Sequence, residues 1–169
     1  ITINMPGEHN ILNALSAIAI ARQLDIDWET IQTGLTQVEL TEMRLEIEAS
    51  SQGAKIINDT YNANPTSMEA ALKVLSQIDG QRKIAVLGDM YELGQYEEEG
   101  HKSIGILANN FKIDIVVAVG ELGKLIGEGA IEAGMVKDNV YLAENNTEAQ
   151  QYLQKIIKKD DTILVKGSR

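Results

Sequence analysis

From residue 54 to the end of the 169-residue chain, short apolar runs alternate with longer segments whose apolar residues recur at helical spacing. The runs KIAVL (83–87), IDIVVAV (113–119), VYLA (140–143) and TILV (162–165) are short and largely lack polar alternation. Strands of that kind are buried on both faces, which requires a mostly parallel sheet with helices above and below it. The intervening segments 65–78, 97–110, 121–133 and 147–157 predict those helices. Upstream, residues 44–49 alternate charged and apolar side chains, Ser51-Gln52-Gly53 is a turn, and 54–58 returns as a second strand. The fold class is therefore α/β.

The first 40 residues follow a different rule. Residues 11–24 are rich in Ala, Leu and Ile and predict a tightly packed helix. Asp27 is placed to cap a second helix, in which Ile31, Leu35 and Val38 fall at i, i+4 and i+7. The pattern changes near residue 40, which divides the chain into a helical segment (1–40) and an α/β domain (41–169). Trp28, near a helix start, predicts packing in a core or against another domain. Gly127-Glu128-Gly129 reads as a helix irregularity.

Composition removes several classes of function. No run of about 18 apolar residues is present, so no membrane span is expected. The opening ITINMPGEHN has neither the basic nor the apolar region of a signal peptide. The absence of cysteine excludes disulfides, thiolate nucleophiles and Cys–zinc sites, and fits a cytoplasmic enzyme. A net charge of −10 argues against nucleic acid as a partner. A phosphate ligand would have to be held by a few placed cations, amides or metal ions.

The stretch IINDTYNANPTSMEAAL, 56–72, concentrates polar residues between a strand and a helix. Asn64 suits a helix cap and Pro65 the first turn, with Met68, Ala71, Leu72 and Leu75 forming one apolar face. Residues 59–62 sit beyond the carboxyl end of a strand, where open α/β sheets bind ligands. Asp59 suits two roles there, accepting from a ribose diol or closing an Asx-turn on its own backbone. Glu97, Glu98, Glu99 and His101 invite a metal reading. Consecutive glutamates on a helix point in different directions, however, and acids in a first turn suit the helix dipole, so no metal ligand is assigned.

Five blocks, PGEHNILNALSAIAIA, MRLEI, INDTYNANPTSMEAAL, VLGDMYELG and ILVKGSR, occur in that order across residues 1–169. Each is weak alone; together they resemble the C-terminal part of the Mur ligase family. The resemblance implies an N-terminal domain for a UDP-sugar, a central P-loop ATPase domain and a C-terminal Rossmann-like domain. Residues 1–40 would end the ATPase domain and 41–169 would form the C-terminal one. DTYNANP with GDMYELG points to the members that add D-alanyl-D-alanine. In these, ATP phosphorylates the terminal carboxylate of UDP-MurNAc-tripeptide, and the dipeptide amine then displaces phosphate, with Mg2+ neutralising the transferring group. A monomeric cytoplasmic enzyme of peptidoglycan precursor synthesis is implied.

The chain departs from that pattern in lacking G-x-x-x-x-G-K-[ST]. The nearest approach, GELGK at 120–124, has neither the spacing nor the hydroxyl residue and is expected to open a helix. The family's magnesium ligands and modified lysine have no counterpart either. The expectation is a fragment that does not catalyse alone.

Residue by residue, the resemblance implies the following. His9, Asn10 and Asn13 match an HNxxN block that meets the adenine end of ATP; the alternative is helix capping. Arg44 matches an arginine that closes on the nucleotide phosphates; the alternative is a solvated strand-edge charge. Asp59 matches the ribose-binding aspartate, with Tyr61 and Asn62 along the same edge. Lys166, Ser168 and Arg169 follow a strand end and are expected to receive the dipeptide carboxylate, with Asp89 orienting its ammonium or positioning its cationic partners; the alternative for Lys166 and Arg169 is ordinary exposed cations. Glu92 and His101 are expected near that amino-acid site. Three other functions stay open: a relative that adds another amino acid, a nucleotide-sensing module without chemistry, and a peptide-binding domain without a nucleotide.

Overall fold

The computed structural model describes residues 3, 9–38 and 43–168. The chain divides into two compact units, Ile1–Thr41 and Glu42–Arg169.

The first unit holds α1 (His9–Gln23) and α2 (Trp28–Thr36). Asp27 caps α2 as expected, taking the Thr30 N–H at 2.9 Å and the Thr30 hydroxyl at 2.8 Å. Ala14, Ile31 and Leu35 make a small core, with Ile18, Ala21 and Ile26 packed against it. The tightly packed first helix is not what forms. Ile11, Leu12, Leu15, Ile20 and Leu24 are exposed, because α1 is apolar on several sides and one neighbouring helix covers a single stripe. Val38 lies beyond the end of α2 and is exposed. Trp28 is also exposed; the Arg22 guanidinium lies 5.2 Å from its ring centroid, a cation–π contact rather than core packing.

The second unit is one six-stranded sheet in the order β1-β2-β6-β3-β4-β5. Its strands are β1 (Glu46–Ala49), β2 (Lys55–Asn58), β3 (Lys83–Leu87), β4 (Ile115–Val119), β5 (Val140–Ala143) and β6 (Thr162–Lys166). Only β1 runs antiparallel, turning into β2 through Gly53 at φ 81°. The expected strand at 44–49 begins two residues late because Met43 and Leu45 are left-handed, at φ 61° and 50°, which no strand accommodates.

Helices α3 (Pro65–Gln77), α4 (Glu97–Asn110) and α5 (Gly123–Glu132) cover one face, and α6 (Asn146–Ile156) packs on the other. The Asn64 side chain accepts the Ser67 N–H at 2.8 Å and the Ser67 hydroxyl accepts the Asn64 N–H at 3.1 Å, so α3 starts where the Asn-Pro pair predicts. Met68, Leu72, Leu75, Ile104 and Ile126 bury the first face against Ile57, Leu87 and Leu164. Ile84, Val86, Val117 and Ile163 lie on the second.

The Gly127–Gly129 stretch does not interrupt α5, which is continuous. A Cβ on Gly129 would fall on the carbonyl oxygen of Lys102, and one on Gly127 would strike the Leu142 side chain. These glycines are contact points, at which α5 presses its backbone against α4 and its flank against β5.

Because β6 is last in sequence yet inserted between β2 and β3, the turns after these three strands stand side by side at the carboxyl rim. That insertion positions the site.

Candidate functional site

The backbone ladder continues past the strand ends. The Asp59 N–H donates to the Val165 carbonyl at 2.9 Å, and the Gly88 N–H to the Lys166 carbonyl at 2.8 Å. Asp59, Lys166 and Asp89 are thereby fixed on adjacent tips of the sheet.

Lys166 is only 3% exposed. Its ammonium donates to Asp59 Oδ2 at 2.6 Å, to the Asn62 carbonyl at 2.9 Å and, at longer range, to the Asp59 carbonyl at 3.4 Å. An ammonium has three protons, and all three face the protein. Lys166 is thus an internal cation, not the ordinary exposed one that was the alternative to a dipeptide role. A buried ammonium is costly unless it is paired and hydrogen-bonded, and the turn following β2 supplies both conditions.

The Asx-turn, one of the two roles open to Asp59, belongs to its neighbour. Asn58 Oδ1 accepts from the Thr60 N–H at 3.3 Å and the Thr60 hydroxyl at 2.8 Å. Asp59 instead reaches across the sheet to Lys166 and across 14 residues to the Leu45 N–H, which Oδ1 accepts at 3.2 Å. A carboxylate has about four acceptor positions, so these contacts leave room for a hydroxyl ligand.

Arg44 stands between the two left-handed residues, exposed, with its guanidinium 4.2 Å from the Tyr61 ring centroid. The Tyr61 N–H donates to the Met43 carbonyl at 3.1 Å. Non-glycine residues held left-handed cost on the order of 1–3 kcal/mol each and persist where surrounding contacts over-determine them; here those contacts are Asp59 and Tyr61. Arg44, Asp59, Tyr61, Asn62 and Lys166 are therefore brought together as one charged, aromatic edge.

Asp89 is engaged within the chain itself. Its Oδ1 accepts the Gly123 N–H at 2.7 Å, capping the start of α5. A Cβ on Gly120, at φ 97°, would sit 2.5 Å from that oxygen, so glycine is required there. The helix start within GELGK is thus occupied by a carboxylate of the chain itself, as suits the positive end of a helix. The Asp89 carbonyl accepts the Ser168 N–H at 2.9 Å. The Ser168 hydroxyl donates to the Ala63 carbonyl at 3.2 Å and accepts the Tyr91 N–H at 3.2 Å. Ser168 thus ties together the turns after β2, β3 and β6. Arg169 lies outside the described residues.

His101 is fully buried beneath this rim, not at its surface. Its Nε2 accepts the Met90 N–H at 2.9 Å, so the ring proton sits on Nδ1, which donates to the Glu97 carbonyl at 2.6 Å. The signal was available: His101, Ile104 and Ala108 share the buried face of α4. Glu92 is exposed at φ 66° in the turn that His101 supports. Glu98 pairs with Lys102 at 3.3 Å. Among the described residues no three His, Asp or Glu side chains converge as metal ligands, so no step is assigned to a metal held by this chain.

In the first unit, Asn10 and Asn13 share a helix face, the Asn13 amide donating to Asn10 Oδ1 at 3.1 Å. The His9 backbone begins α1, while its side chain lies outside the described residues.

A mostly parallel sheet with one antiparallel edge strand and a charged carboxyl rim define the class: an α/β domain of Rossmann-like form. Residues 43–169 match the family model described as Mur ligase, glutamate ligase domain, and the chain belongs to the Mur ligase family. It is 42% identical over 164 residues to the UDP-N-acetylmuramoyl-tripeptide–D-alanyl-D-alanine ligase of Bacillus subtilis, covering 96% of this chain and 36% of that one. The crystal structure of MurF from Acinetobacter baumannii superposes with a TM-score of 0.85 at 34% identity, covering 99% of this chain and 36% of that one. MurF from Thermotoga maritima, solved in complex with ADP, gives 0.77 at 24% identity, over 96% and 35%, and shares the fold. The chain spans about a third of the length of the relatives it matches. Among the described residues, no helix is long and apolar enough to cross a membrane.

Proposed function

We propose that this chain is the C-terminal part of an ATP-dependent ligase that joins D-alanyl-D-alanine to UDP-MurNAc-tripeptide in the cytoplasm, working as a monomer. The observation that carries the reading is the 42% identity to a ligase of that name along nearly the whole chain. Residues 1–40 would close the ATPase domain and 41–169 would form the C-terminal domain. The exposed apolar residues of α1 support this, since they suit a helix that packs inside something larger.

In this reaction the γ-phosphoryl group of ATP passes to the tripeptide carboxylate, giving ADP and an acyl phosphate. The dipeptide amine attacks the acyl carbon, the C–O bond to phosphate breaks, and the amine loses a proton. Magnesium would neutralise the transferring group, but the described residues do not fit it, and its ligands would lie elsewhere in the enzyme. Arg44 meets the developing phosphate charge. Asp59 accepts a ribose hydroxyl, with Tyr61 and Asn62 along the nucleotide edge. His9, Asn10 and Asn13 meet the adenine. The carboxylate of the dipeptide is left to Ser168 and Arg169, and Asp89 shapes the corner around Ser168.

The test is Arg44→Ala in the full-length protein, assayed for ADP release that requires both tripeptide and dipeptide. Losing a charge-assisted hydrogen bond of roughly 1.5–3 kcal/mol should lower kcat about 10- to 100-fold. Tripeptide binding should be unchanged. An intact variant with wild-type turnover would return Arg44 to the solvated strand edge.

A further inference from the structure

We infer that Lys166 is a positioning residue: its buried ammonium fixes Asp59, and Asp59 in turn holds the Met43–Leu45 strap that presents Arg44. The inference rests on the reading that Arg44 serves phosphoryl transfer, and it replaces a direct role for Lys166 in binding the dipeptide.

Three observations carry it. First, the Lys166 ammonium is saturated by Asp59 Oδ2, the Asp59 carbonyl and the Asn62 carbonyl, at 3% exposure. A ligand carboxylate would have to displace Asp59 to reach it. Second, the other oxygen of the same carboxylate accepts the Leu45 N–H at 3.2 Å. Leu45 itself is buried in the core cluster that contains Ile57 and Met68. Third, Met43 and Leu45 are both left-handed, with φ 61° and 50°. Backbone in that state relaxes toward extended or helical conformations when nothing holds it, and Arg44 lies between the two. A chain of contacts therefore runs from Lys166 through Asp59 to Leu45 and Arg44. Asp59 is set by two partners, from β6 and from the strap, before any nucleotide arrives.

The experiment compares Lys166→Met, Arg44→Ala and the double variant in the full-length protein. It reads kcat, the dipeptide KM and amide hydrogen exchange over residues 43–49. Lys166→Met should lower kcat by about the same 10- to 100-fold as Arg44→Ala. The dipeptide KM should stay within about twofold, and exchange in the strap should rise about tenfold or more. Residues acting through one another do not add, so the double variant should fall no more than about threefold below the lower single. If Lys166→Met does not fold, the pair Lys166→Met/Asp59→Asn leaves no lone buried charge, keeps a side-chain oxygen for the Leu45 N–H, and carries the same KM and exchange readings. A tenfold rise in dipeptide KM, unchanged exchange, or multiplicative losses in the double variant would each overturn the proposal. A wild type without dipeptide-dependent turnover would overturn the ligase reading instead, while the exchange comparison would still decide whether Lys166 holds the strap.

Discussion

Arg82→Ala should destabilise the α/β unit by about 3–5 kcal/mol at neutral pH, the cost of leaving one member of a buried ion pair alone. Asp161, 1% exposed, receives Arg82 through two hydrogen bonds, at 2.9 Å from Nε and 2.6 Å from a terminal nitrogen. The same guanidinium donates to the Ile156 carbonyl at 2.7 Å, and the Lys158 N–H donates to Asp161 at 2.7 Å. The knot fastens the end of α6 and the entry to β6 onto the entry to β3. Burial pushes the Asp161 carboxyl up, but the Arg82 hydrogen bond and the Lys158 amide outweigh it and hold the group below its ordinary value of 3.8. A carboxyl lowered on folding stabilises the protein fully above its ordinary pKa and ceases to do so as pH falls through the folded value. The gap between wild type and Arg82→Ala should therefore be widest near neutrality and shrink in acid below 3.8. Urea unfolding at about pH 7 and about pH 3 measures both values. Replacing the pair together, Arg82→Met/Asp161→Leu, should cost much less than either single change. A gap under about 1 kcal/mol at neutral pH would place the pair among surface ion pairs.

The second large effect is expected at a single added methyl. A Cβ on Gly105 would fall on the carbonyl oxygen of Ile126 and close to the Ala130 amide nitrogen, and it would lie 2.9 Å from the Gly129 carbonyl carbon. These are backbone atoms of α5, so no side chain can rotate away. The helices must separate, which opens the core around Ile104 and Ile126. Overpacking of this kind costs about 1–3 kcal/mol and occasionally more. Gly105→Ala should sit at or above the upper end, despite the higher helix propensity of alanine. Gly129→Ala should behave alike, because it forces apart the same pair of helices. The double variant should lose less than the sum, since one separation relieves both clashes. Denaturant midpoints for the three variants decide it. A Gly105→Ala protein as stable as wild type would mean that α4 and α5 are not in backbone contact.

The chain order of strands and helices was legible because each signal is local. KIAVL and VYLA become strands over 83–87 and 140–143, and Asn64-Pro65 starts α3. What escaped was long-range. Arg82 and Asp161 are 79 residues apart, and no periodicity links them. Lys166 reads as a cation open to a ligand carboxylate until the insertion of β6 between β2 and β3 places it over Asp59. Gly129 reads as a weak point in a helix until the partner helix is known to lie against it. The apolar sides of α1 failed in the opposite sense: the sequence shows that they are apolar, but burial depends on what is there to cover them. At the rim, the place of Asp59 just after a strand was legible. Its partners were not, because Leu45 contributes a backbone N–H, which carries no mark in sequence.

Whether the full-length protein ligates D-alanyl-D-alanine, as we propose, is read from its choice of amine. The full-length protein would be given ATP, Mg2+ and UDP-MurNAc-tripeptide, then in separate reactions D-alanyl-D-alanine, L-alanine, D-glutamate, L-lysine or diaminopimelate, with products read by mass. A UDP-MurNAc-pentapeptide, with ADP released in step, is expected from D-alanyl-D-alanine alone. Ligation of a single amino acid in preference to the dipeptide, or nucleotide binding without any amide product, would contradict the proposal.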